Sequence, residues 1–252
     1  MLSGKIAWVT GGGSGIGEAG AIALAEAGAT VIVSGRDGTK LDAVVAKITG
    51  AGHKASALAL DVTDRAAVAR GAAALLAQHS NVHILINSAG INLPNRRWKN
   101  LTAEAFDRIV TTNLNGTFYA IEAVLPKMRE QQDGCIVNVA SWSGRYHAYL
   151  TGPAYNAAKF AVVELTLALN DDEGPNGIRA CALCPGEVAT PLVARRPVPP
   201  PPEDVARMLK PEDLGRAIRF VAEMPPHVAV NELVISPTYN RIMVGGPDIR
   251  RD

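Results

Sequence analysis

Cysteine is scarce in this chain, with three among 252 residues. Three thiols cannot build a disulfide framework, which points to a reducing compartment and away from a small secreted scaffold. Charge of neither sign is in excess. Lys and Arg number 25 and Asp and Glu 24, a formal balance of +1. That balance argues against nucleic acid or an anionic membrane as the main partner. No run of about 18 apolar residues escapes a charged, polar or glycine break, so a membrane span is not expected. The start, MLSGKIAWVTGG, passes directly into a strand-like run without a signal-peptide pattern, so a cytoplasmic location is expected. No repeat of solenoid length and no linker divides the chain. Apolar residues, by contrast, make up 48% and charged residues 19%, enough for a sizeable core in one α/β domain.

Short β-branched runs alternate with alanine-rich stretches. The pattern predicts strands at 6–10, 30–34, 54–60, 82–87, 135–140, 178–184 and 232–236. It predicts helices at about 15–27, 39–50, 64–79, 102–131, 154–172 and 211–223. Most strands are apolar on both sides of the alternation, as when helices cover both faces of a sheet. Thr102 and Pro211 stand where helices start. The expected fold is a doubly wound parallel sheet of about seven strands in a single domain over residues 1–240. Residues 241–252 are expected to be a tail. Pro197 and Pro199 to Pro202 break the alternation, because proline lacks an amide donor and has a fixed φ. The surrounding segment, 190–210, is either an exposed connector or a loop over a substrate pocket.

After the first strand comes Thr10-Gly11-Gly12-Gly13-Ser14-Gly15-Ile16-Gly17, then a helix. Glycine lets the backbone turn sharply and approach a bulky anion. The helix then offers free N–H groups and a positive dipole end, which suits a pyrophosphate. In this Rossmann-type arrangement the ligand crevice lies at the C-terminal strand ends. Strand two ends Ser34-Gly35-Arg36-Asp37. Gly35 offers no carboxylate to repel a ribose 2′-phosphate, and the Arg36 guanidinium can fork onto one. NADP is therefore the expected cofactor. The alternative is NAD, with Arg36 solvated and Asp37 on the ribose.

Tyr155 and Lys159 lie four apart on a predicted helix and share one face. A free phenol, with a pKa near 10, is a poor proton shuttle at neutral pH, and a nearby ammonium would lower that value. Tyr155 is the candidate acid and base. Ser141, at the end of strand five, is placed to orient a substrate oxygen, with Ser143 as its rival. Cys181-Ala-Leu-Cys184 fits C-x-x-C, but residues three apart on a strand face opposite ways, so neither a redox pair nor a metal site is expected. The five histidines show no ligand spacing. Arg195-Arg196 either meets an anionic substrate or faces solvent, and Arg96-Arg97 is equally open. Trp142 and Tyr149 are candidate apolar walls, and His147 lines the pocket or faces solvent.

Taken in order, these motifs resemble the short-chain dehydrogenase/reductase family. The likeness is carried by the Gly11 to Gly17 turn, Asp61-Val62 and Asn87-Ser88-Ala89-Gly90. It continues through Asn113, Ser141, Tyr155-x-x-x-Lys159 and Pro185-Gly186 with Thr190. Ser88 replaces the family's second Asn, and the interval from Ser141 to Tyr155 is one residue longer than is common. The resemblance implies an NAD(P)-dependent oxidoreductase, an alcohol dehydrogenase or carbonyl reductase acting on a small molecule. It implies a pyrophosphate on Gly11, Ser14, Gly15, Ile16 and Gly17, and adenosine and ribose flanked by Arg36, Asp61, Val62, Asn87, Ala89 and Gly90. It implies a nicotinamide bordered by Pro185, Gly186, Val188 and Thr190, with Tyr155 and Lys159 also touching the cofactor. Lys159 would hold the ribose, and Asn113 a water linking Lys159 to solvent. It further implies a homo-oligomer, a dimer or tetramer, built through the two long helices. The alternatives are an epimerase or dehydratase on the same fold, or a non-catalytic dinucleotide sensor or scaffold.

Overall fold

The strand β1 (Ile6–Thr10) is buried at every residue after the first, and β4 (Ile84–Asn87), β5 (Gly134–Val139) and β6 (Ile178–Pro185) are buried throughout. Strands so deeply covered need helices on both faces. The computed structural model, which describes residues 1–245, has that form. With β2 (Thr30–Gly35), β3 (Ala55–Ala59) and β7 (Glu232–Ile235), the strands make a seven-stranded sheet ordered β3-β2-β1-β4-β5-β6-β7. Every neighbouring pair is parallel. β3, on the edge, is only half covered.

Alternation along the strands sorts the core into two layers. Ala7, Val9, Val31, Val33 and Ile86 meet Leu24, Leu41 and Ile218 on one face. These come from α1 (Gly15–Glu26), α2 (Gly38–Gly50) and α9 (Pro211–Glu223). Trp8, Ile32, Leu85 and Ile136 point the other way, to Val68, Leu75, Ile121 and Met128. That layer comes from α3 (Arg65–His79) and α5 (Gly116–Gln131). Each fully buried aliphatic side chain contributes about 1.5–3 kcal/mol relative to exposure. Cys181 falls in the first layer and Cys184 on the opposite face, and both are free thiols. Burial pushes them up to about 12 and about 11.

Three expectations change. The helix predicted over 102–131 is broken. α4 (Ala103–Val110), whose cap is Thr102 Oγ1 accepting Ala105 N at 3.2 Å, gives way to a π-helical turn at Thr111–Asn115 before α5. The widened turn carries the Asn113 side chain to the Ile91 backbone, where it accepts from N at 2.8 Å and donates to O at 2.9 Å. The proline-rich stretch is not a bare connector. It holds two short helices, α7 (Pro191–Ala194) and α8 (Pro202–Arg207), each started by proline, which is pre-set for a first turn. The first residues of the expected tail are helical. Arg241–Val244 form a last turn, α10, with Arg241 buried at 2% exposure; residues 246–252 lie outside the described residues. Among the described residues no helix is long and apolar enough to cross a membrane, and no cluster of His, Cys, Asp or Glu suits a metal ion.

Candidate active site

A cavity of about 290 Å³ opens beyond the C-terminal ends of β1, β4, β5 and β6. It lies where the strand order reverses between β1 and β4, the place where such sheets bind ligands. One end is formed by Gly11, Ser14, Gly15 and Ile16. Gly11 has φ +66°, and a Cβ on it would come within 2.6 Å of Ala89 N. The turns after β1 and β4 can touch only because that Cβ is absent. Gly11→Ala should therefore destabilise the fold by about 1–3 kcal/mol through strain and displacement, measurable as a lower urea midpoint. Ser14 caps α1 in an extended conformation, and its side chain makes no capping bond. The first amides of α1 and the Ser14 hydroxyl are thus available to an anion, and the bare turn leaves room for a pyrophosphate.

The other end is built on α6 (Pro153–Glu173). Tyr155 and Lys159 both line the cavity, with Lys159 Nζ 5.7 Å from the Tyr155 ring centroid. Lys159 Nζ donates to the Val139 carbonyl at 2.6 Å. Ser141, also at the cavity, has its hydroxyl close enough to the Tyr155 phenol to pull the phenol's pKa down. Its rival Ser143 is occupied instead with Thr151, Oγ to Oγ1 at 2.9 Å, and its backbone N donates to Ser141 Oγ at 3.1 Å. The loop is tied to α6 by Asn156. Its Nδ2 donates to the Ala148 carbonyl at 3.0 Å, and its Oδ1 accepts from Thr151 Oγ1 at 2.6 Å.

Burial raises the Tyr155 phenol above its ordinary pKa, while Ser141 and the charges of Arg196 and Arg96 pull it back. The sequence pairing predicts Lys159 as the cation acting on the phenol. The structure differs because the amine turns to Val139, and burial pushes it down to about 8. Gly90 sits between the groups: a Cβ on it would lie 3.3 Å from Asn113 Oδ1 and 3.8 Å from Lys159 Nζ. Asn113 is fully buried and bonds to Ile91 rather than to Lys159.

Of the predicted cofactor residues, Ala89, Gly90, Pro185, Gly186, Val188 and Thr190 also line the cavity. Gly17 is buried inside α1. Asn87 Nδ2 donates to Asn138 Oδ1 at 2.9 Å, in a network that continues to Thr166. Asp61 and Arg36 lie away from the cavity, at the ends of β3 and β2, and face each other at 3.9 Å. Val62 is buried against Gly116. Asp37 caps α2, accepting from Lys40 N at 3.3 Å, and pairs with Lys40 Nζ at 3.0 Å. Trp142 lines the cavity, His147 is exposed, and Tyr149 packs under the Arg97 guanidinium at 3.6 Å.

Residues 5–198 match the short chain dehydrogenase family. The chain is a short-chain dehydrogenase, and hence a member of an oxidoreductase family. An uncharacterized oxidoreductase of Staphylococcus aureus is 34% identical over 94% of this chain and 99% of its own. Among solved structures, levodione reductase superposes with a TM-score of 0.87 at 29% identity, over 94% of this chain and 97% of that one. An alcohol dehydrogenase from Thermococcus sibiricus, complexed with 5-hydroxy-NADP, gives 0.84 at 26% identity over 94% and 98%. A metagenomic short-chain oxidoreductase in complex with NADP gives 0.82 at 27% over 94% and 98%.

Sequence reasoning missed part of this dehydrogenase's pocket. Glu187 is 3% exposed and accepts from Arg196 Nη1 at 2.6 Å and from Arg241 Nε at 3.0 Å; Arg241 also pairs with Asp204. This cluster folds the segment after β6 over the cavity. Its only linear signals were a pair of arginines near prolines and a basic residue in an apparent tail.

Proposed function

We propose that this short-chain dehydrogenase interconverts a small carbonyl compound and its secondary alcohol, with Tyr155 as acid and base. NADP, when bound, supplies or takes up the hydride. The turn at Gly11, Ser14, Gly15 and Ile16 would hold its pyrophosphate, Arg36 its 2′-phosphate, and Lys159 the nicotinamide ribose. Asp61, Val62, Asn87 and Gly90 would flank the adenosine end, and Pro185, Gly186, Val188 and Thr190 the nicotinamide. Ser141 would orient the substrate oxygen while Tyr155 gives or accepts its proton. Asn113 would hold the Ile91 turn in place behind Lys159.

The observation that carries this reading is the meeting of the Tyr155 phenol, the Ser141 hydroxyl and the Lys159 amine at one end of a cavity whose other end is the open first turn of α1. Thr190, Val193 and Arg196 line the same cavity, which supports 190–210 as the substrate loop. Phe118 and Phe160 are exposed on α5 and α6, which supports a homo-oligomer through those helices. Buried, unpaired thiols fit a cytoplasmic protein.

The test is loss of NADPH absorbance with a panel of aldehydes, ketones and oxo acids. Nucleotide binding without turnover of any of them would instead favour a sensor. Engagement of Asp37 as a helix cap supports NADP over NAD. Arg36→Ala should weaken NADPH binding by about ten- to a hundredfold and NADH by much less. Equal losses in the two titrations would reverse the cofactor assignment.

A further inference from the structure

Arg96 is 6% exposed and lines the cavity. Its Nε donates to the Leu93 carbonyl at 2.8 Å, and among the described residues no carboxylate pairs with its guanidinium. The neighbouring buried cations differ. Arg196 and Arg241 are matched by Glu187 and Asp204, two charges against two. Lys159 and Arg195 add positive charge to the lining, where Glu187 is the single acid among the described residues. Arg96 is therefore a buried charge without a counter-ion, an arrangement that is costly unless an anion completes it.

The arginine is presented from a fixed backbone. Gly152 has φ +80° and approaches so closely that a Cβ there would strike the Arg96 carbonyl oxygen. Asn92 Nδ2 donates to the Thr151 carbonyl at 3.0 Å, and Arg97 stacks on Tyr149. Burial, with Arg196 and Arg97 as like-charged neighbours, pushes Arg96 down to about 10, so it remains cationic at neutral pH. Its charge reaches the Tyr155 phenol.

We infer that the substrate carries a carboxylate, held by Arg96 beside the carbonyl group that faces Tyr155, so that the enzyme interconverts an oxo acid and its hydroxy acid. This rests on the proposed hydride-transfer reading. In the reducing direction a C–H bond forms at the carbonyl carbon, and the C=O π pair takes the Tyr155 proton to form O–H. The oxo acid is reduced and NADPH oxidised. A guanidinium fork matches a carboxylate in charge and geometry.

The test compares short 2-oxo and 3-oxo acids with their methyl esters, under saturating NADPH, in the wild type, Arg96→Gln and Arg96→Lys. The wild type should prefer an acid over its ester by about tenfold or more in kcat/KM. Arg96→Gln should erase that preference mainly through KM, and Arg96→Lys should restore part of it. Butanoate should inhibit the wild type competitively at lower concentration than butanamide, and this difference should vanish in Arg96→Gln. Equal use of acids and esters by the wild type, or equal losses for both in Arg96→Gln, would overturn the carboxylate inference and leave the dehydrogenase reading intact. Turnover of no carbonyl compound by the wild type would overturn both.

Discussion

Tyr155→Phe is expected to lower kcat/KM for carbonyl reduction by about a hundred- to ten-thousandfold, the range of a lost general acid. The ring and its packing remain, so the change isolates the hydroxyl. NADPH affinity should stay close to that of the wild type, because the open turn at the other end of the cavity is untouched. The phenol's raised pKa sets the pH dependence. Below that value Tyr155 carries its proton, so reduction should vary little across neutral pH. Oxidation needs the phenolate and should quicken as pH rises toward the phenol pKa, and the Phe variant should lose this slope. Stopped-flow reduction and steady-state oxidation, each run against pH, check both arms. A Phe variant with wild-type rates would remove Tyr155 from the chemistry.

Lys159→Met should depress kcat/KM by about a hundredfold or more, since in the proposed reading it removes the amine that would hold the nicotinamide ribose beside Tyr155. It should also change stability in a pH-dependent way. The Lys159 amine is pushed from 10.5 down to about 8 by burial. Between those values the unfolded chain holds a proton that the folded chain lacks, so the penalty for burying the amine is full below pH 8 and fades toward pH 10.5. Three thiols oppose this. Cys135, Cys181 and Cys184 are raised from 9.0 to about 11, 12 and 11, so stability is lost above pH 9. The wild-type curve mixes both effects, but the difference between wild type and Lys159→Met isolates the amine. That difference should move in favour of the wild type by at most about 3 kcal/mol as pH rises across the window. Urea unfolding at several pH values measures it. A difference independent of pH would mean that the amine titrates normally in the folded protein.

Much of the site was legible in linear form because it depends on spacing. Tyr155 and Lys159 meet because four residues make about one helical turn. Gly11, Ser14, Gly15 and Ile16 gather because a glycine turn follows a strand and opens a helix. The place of Ser141 at the strand end favoured it over Ser143, but what occupies Ser143 was not legible. That is Thr151, which engages Ser143 across the loop. Nor was the partner of Asn113, because a π-helical turn, rather than an even helix, aims it at Ile91.

By itself the sequence determined the fold class, the strand and helix segments in outline and the two ends of the cavity, since hydrophobic period, glycine chemistry and helical spacing act over a few residues. The tertiary structure alone decided which charges reach the phenol, those of Arg196 and Arg96, and which of the buried cations are matched. Arg96, Arg196, Glu187 and Arg241 come from three separate segments, and Arg241 is 54 positions from the Glu187 it neutralises. Whether a buried cation is matched or left over depends on which distant carboxylate reaches it, and no local pattern encodes that.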